Sequence, residues 1–83
     1  VDNRDRYETY SAATIAALNG AIKADGLNVS KLAKRIGVDY NTLRRYLRSE
    51  REMPMIVLYA IVDQLTIDEA ELFTQAQKRF DRR

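Results

Sequence analysis

Residues 29–48 read VSKLAKRIGVDYNTLRRYLR, and their spacing decides the fold. Two short helices joined by a tight turn fit this stretch. Ala33 is small, as the first helix must be where the second crosses it. Gly37 stands where the first helix has to stop, because glycine enters the left-handed backbone region without steric cost. Val38 and Leu43 then point back at Leu32 and Ile36. Asn28 is a suitable N-cap for a helix from Val29 to Ile36. Asp39 is a suitable N-cap for one from Tyr40 to Arg48, and its negative charge suits the positive end of that helix dipole. The unit 29–48 is therefore a helix-turn-helix.

The pattern outward from this unit is helical throughout. One proline is present in the chain, and the β-branched residues never alternate over the length of a strand. A first helix starts at Asp5 or Ser11 and runs to Lys23, with Ile15, Leu18 and Ile22 as its buried stripe. Tyr7 and Tyr10 extend that apolar face or belong to an ordered arm, and Gly26 is placed for a left-handed cap. Pro54 suits the first position of a fourth helix, where a missing N–H costs nothing. That helix carries Ile56, Val57, Leu58, Ile61, Val62 and Leu65 and is expected to be central to the core. Asp68 and Glu71 form a capping pair for a fifth helix ending near Arg79 or Phe80. The expectation is a compact all-α five-helix bundle, with residues 1–83 forming a single domain.

Composition narrows the function. The chain has 83 residues, no cysteine and no histidine. Disulfides, thiolate nucleophiles, imidazole proton shuttles and the usual zinc ligands are thus ruled out. The three glycines, Gly20, Gly26 and Gly37, are isolated and form no phosphate-cradling loop. Acidic neighbours such as Asp68, Glu69 and Glu71 fit a helix start better than a metal site. The reading is no enzyme, no metal, no cofactor and no evident small-molecule ligand. No apolar run approaches a membrane span, so no membrane partner is expected.

Net charge is only +2 but unevenly spread. Residues 28–53 hold seven basic residues against three acidic ones, for +4, and the remainder holds seven against nine, for −2. A basic centre between mildly acidic flanks is the footprint of a polyanion-binding face. A solvated lysine and arginine face is the bland alternative, and the coincidence of charge with the helix-turn-helix spacing argues against it. Such units place their second helix in the major groove of DNA.

The pattern over residues 15–72 resembles the DNA-binding domain of phage repressor and Cro-like regulators, the C1-type or xenobiotic-response-element group. The residues that carry the resemblance are Gly26-Leu27-Asn28, Leu32-Ala33, Ile36-Gly37-Val38, Leu43 and Tyr46. Pro54 before an apolar helix, then Leu65, Ile67 and Leu72, complete it. The resemblance implies a lambda-repressor-like bundle and a transcriptional regulator, a phage or prophage repressor or Cro-like protein. It also implies double-stranded DNA as partner, an operator with two-fold-related half-sites, a homodimer at least on DNA, and a cytoplasmic setting in a bacterial host. There are departures. Val29 stands where the family usually has a phosphate-touching glutamine. Ile22 and Leu47 stand where it often pairs a buried arginine with an acid, and apolar packing there is sound physics.

The turn of a helix, about 100° per residue, sorts the second helix of the unit. Leu43, Tyr46 and Leu47 share the side that must face the protein. Asn41, Arg45 and Arg48 lie opposite, Arg44 flanks them, and Tyr40 and Thr42 sit at the N-terminal end that enters the groove. Arginine pairs with guanine O6 and N7 through two hydrogen bonds, and asparagine with adenine N6 and N7. Tyr40, Asn41, Thr42, Arg44 and Arg45 are the candidate base contacts. Arg48 and Arg51 are candidates for phosphate, with Asn28, Ser30, Lys31, Lys34 and Arg35 from the helix that crosses the backbone.

Phe73 and Phe80 fall on one stripe of the last helix, with Leu72 and Ala76 turned toward the fourth. Phe73 and Phe80 are accordingly the candidate dimer contact, unless both rings pack on the first helix and on Tyr7 and Tyr10. An antitoxin or other protein-interaction module on the same fold is the alternative function. The short polar end QAQKRFDRR offers little for clamping a partner, which favours the regulator.

Overall fold

A computed structural model describes residues 3–81. The ends of the expected 1–83 domain, residues 1–2 and 82–83, lie outside the described residues. Five helices follow in order: α1 Arg4–Ala24, α2 Val29–Ile36, α3 Tyr40–Leu47, α4 Met55–Asp63 and α5 Glu69–Asp81. No strand occurs among the described residues. α1 starts earlier than either sequence estimate, and its first turns leave Tyr7 exposed.

Local chemistry sets the boundaries. Asn28 accepts a hydrogen bond from the Lys31 backbone N–H at 2.8 Å and opens α2. Gly37 closes it in the left-handed region at φ 73°. Asp39 accepts from the Thr42 N–H at 3.2 Å and opens α3. Asp68 accepts from the Glu71 N–H at 2.9 Å and opens α5. α1 ends in a two-bond cap, with the Gly26 N–H donating to the Lys23 carbonyl and the Leu27 N–H to that of Ile22. Ser49 closes α3 in the same way, donating to Tyr46 while Glu50 donates to Arg45. Ser49 is the single non-glycine residue with positive φ, 58°, among the described residues.

The core joins all five helices. Leu18, Leu32, Leu43, Ile61 and Leu72 are its largest fully buried side chains. Ala17 and Ile22 of α1, Ala33 of α2, Leu47 of α3, Leu58 and Val62 of α4, and Ala76 of α5 complete it. Ala33 is 4% exposed, which is what the close crossing of α2 and α3 requires. Ile22 and Leu47 are both buried in this cluster, so apolar packing occupies the place where an ion pair often stands.

Two core assignments change. α5 packs principally along α1, not against α4, so Leu72 and Ala76 complete a layer built on the longest helix. Ile56, expected in the core, is 78% exposed. Pro54 is the N-cap of α4 and not its first helical residue. From there Leu58, Ile61 and Val62 face inward and Ile56 points away. The reason is that α4 is apolar on every side, and such a helix carries no periodic signal for which face is buried.

Candidate nucleic-acid interface

α3 presents two unlike faces. Leu43 and Leu47 are buried and Tyr46 packs against the core at its edge. On the other side Asn41, Arg44, Arg45 and Arg48 are exposed, and Tyr40 is 47% exposed at the N-terminal end. A helix held by its apolar stripe thus offers a row of hydrogen-bonding side chains to an outside partner.

The N-terminal end of α3 is the better fixed. Asp39 takes the Thr42 N–H and, at 3.3 Å, the Thr42 hydroxyl. The proton of that hydroxyl is engaged, so Thr42 would meet a base through its methyl group, by accepting at its oxygen, or by exchanging this bond. At the other end, Arg48 lies 3.7 Å from Glu50 in an exposed ion pair. Such a pair is weak and opens readily to a stronger anion. Arg51 is exposed in the loop that follows.

α2 supplies the flank. Ser30, Lys31, Lys34 and Arg35 are all exposed. Asn28 spends its side-chain oxygen on capping α2. Val29 is half-buried against the core, so the first residue of α2 serves packing rather than contact. The exposed cations of α2, α3 and the following loop come from the +4 segment 28–53.

The two rings singled out as a dimer contact are both occupied within the chain. Phe73 packs against the core. Phe80 meets Tyr10 with ring centroids 5.3 Å apart, and the Arg6 guanidinium lies over it at 5.3 Å. Both rings are half-buried by these contacts within the chain.

Two interactions that support the interface escape a reading of local patterns. Asn19 of α1 donates from Nδ2 to the Leu47 carbonyl at 2.8 Å, satisfying a free carbonyl at the end of α3. It ties the helix that carries the exposed arginines to the longest helix of the bundle. An asparagine in mid-helix, where it is a poor helix former, is the one signal for this in the sequence. Asp25 accepts from the Thr66 N–H at 2.7 Å and from its hydroxyl at 3.1 Å, pinning the turn before α2 to the loop before α5.

A bundle whose second and third helices form a capped helix-turn-helix, with a buried stripe and a basic polar face on the third, is the frame of a DNA-binding domain. Comparison with known families agrees: the model for the Cro/C1-type HTH DNA-binding domain matches residues 17–77. The chain belongs to that family and is a DNA-binding regulator with double-stranded DNA as its partner. No curated protein and no solved structure matches it significantly. No helix among the described residues is long and apolar enough to cross a membrane.

Proposed function

We propose that this chain is a sequence-specific transcriptional regulator of the phage or prophage repressor or Cro-like kind, which lays α3 in the major groove of an operator with two-fold-related half-sites. The observation that carries the reading is the division of α3 between a buried leucine face and an exposed row of Asn41, Arg44, Arg45 and Arg48. Asn41 and Arg45 are the principal base readers, with bidentate geometry available to each. Tyr40, Thr42 and Arg44 reach neighbouring base edges from the N-terminal end and flank. Asn28, Ser30, Lys31, Lys34 and Arg35 hold one backbone, and Arg48 and Arg51 the other side of the groove, all through phosphate. One such helix spans too few base pairs to single out a site in a genome, so two copies act together on DNA.

Selection of bound duplexes from a random pool tests this reading. It predicts enrichment of two copies of one short motif in inverted order, about one helical turn apart. A pool that stays random after repeated selection would contradict it. A second reading, a protein-interaction module such as an antitoxin, draws on the apolar face that α4 leaves in water. It gives no reason for the polar row on α3.

A further inference from the structure

α4 has the sequence MIVLYAIVD, with Asp63 as its one charged residue. Leu58, Ile61 and Val62 turn into the core. The opposite side, ordinarily polar where it faces solvent, is apolar over its first turns and carries one charge, Asp63, at its end. Met55 is 56% exposed, Ile56 78% and Tyr59 50%, and the three sit together on the first turns of the helix. Adjacent large apolar side chains left in water mark an interaction surface. We infer that this face is the contact through which two copies of the chain pair when they occupy neighbouring half-sites on one duplex. The inference rests on the operator-binding reading above.

Three observations favour a second copy as the occupant. The first is position. Met55 follows Arg51 by four residues and Arg48 by seven, so the patch begins within a few residues of the loop assigned to phosphate. The second is area. Three partly exposed side chains offer on the order of a few hundred Å², well short of the roughly 800 Å² per partner typical of a stable free interface. That suffices for two molecules already held side by side on DNA, where the effective concentration is high.

The third is charge. Pro54 gives α4 no side-chain cap, so the N–H groups and positive dipole end of its first turn are unanswered by any side chain at that position. Asp63 is exposed at the other end of the same helix. The two ends of α4 lie about 12 Å apart along its axis, so a two-fold pairing of antiparallel α4 helices centred on Tyr59 sets Asp63 of each copy level with the first turn of the other. The face is complementary to itself in charge as well as in apolarity.

The chain has no cysteine, so Tyr59→Cys introduces one thiol at the proposed two-fold axis. The probes are a duplex with two half-sites taken from the random-pool selection and the same duplex with one half-site scrambled. With a mild oxidant added, Tyr59→Cys is expected to give a disulfide-linked dimer at least tenfold more abundant on the two-site duplex. Phe73→Cys is expected to give none above background. Ile56→Ser, at an exposed position, should keep its affinity for the one-site duplex within about twofold and lose at least tenfold in cooperativity on the two-site duplex. Independent filling of the two sites by the parent, retained cooperativity in Ile56→Ser, or absence of the Tyr59→Cys cross-link each overturns the inference. In all three cases intact one-site binding leaves base reading by α3 standing and removes the α4 face as the pairing contact. A parent that binds neither duplex overturns both.

Discussion

Replacing Arg45 with alanine should separate reading from holding. Loss of one bidentate base contact removes about 1–3 kcal/mol of discrimination, so the cognate site suffers and unrelated DNA hardly does. Arg48→Ala and Arg51→Ala should weaken both kinds of binding, each lowering the salt slope by about one. Titrations of both duplexes against each variant decide this, and an unchanged specific-to-nonspecific ratio in Arg45→Ala would remove it from the readers. A second residue-scale test concerns Gly20, inside α1. A methyl group there would lie 3.2 Å from Nη2 of Arg79, the far end of a flexible side chain that can shift by a few tenths of an ångström. The gain from replacing a mid-helix glycine should therefore dominate. Gly20→Ala is expected to raise stability by about 0.5–1 kcal/mol, read as a higher melting temperature. A lower one would mean that Arg79 is held more firmly than its exposure suggests.

Leu43 belongs to the scale of elements, since it fastens α3 to the bundle with no exposed surface of its own. Leu43→Ala should cost about 2–5 kcal/mol and weaken DNA binding only through loss of the fold. A melting curve like that of the parent would show the inward face of α3 to be misassigned. The caps were legible at this scale because their chemistry is local: Asn28, Gly37, Asp39 and Asp68 act on backbone groups within three residues or on their own φ. The inward and outward faces of α3 were legible because apolar and polar residues alternate at helical spacing. α4 had no such contrast, and Ile56 was assigned to the wrong side. Ser49 takes a left-handed conformation that glycine usually supplies, so the end of α3 gave no glycine signal.

Contacts between distant elements were the least legible part of the whole molecule. The bond from Asn19 to Leu47 spans 28 residues and that from Asp25 to Thr66 spans 41, and no spacing rule reaches so far. The stripe of Phe73 and Phe80 invited a second copy because α5 was oriented toward α4. With α5 lying along α1, both rings are half-buried, Phe80 beside Tyr10 and Phe73 beside the core, while Met55, Ile56 and Tyr59 of α4 stay more exposed. At this scale the sequence alone showed the coincidence of a +4 segment with a helix-turn-helix, which supports the same reading as the two-faced α3. The most direct test is to titrate the selected duplex and an unrelated one of equal length with the parent chain over a range of salt concentrations. Binding to both is expected to fall linearly on logarithmic axes as salt rises, with the selected duplex bound at least about 10³-fold tighter at physiological salt. Equal affinity for the two duplexes, or no binding to either at low salt, would contradict that reading.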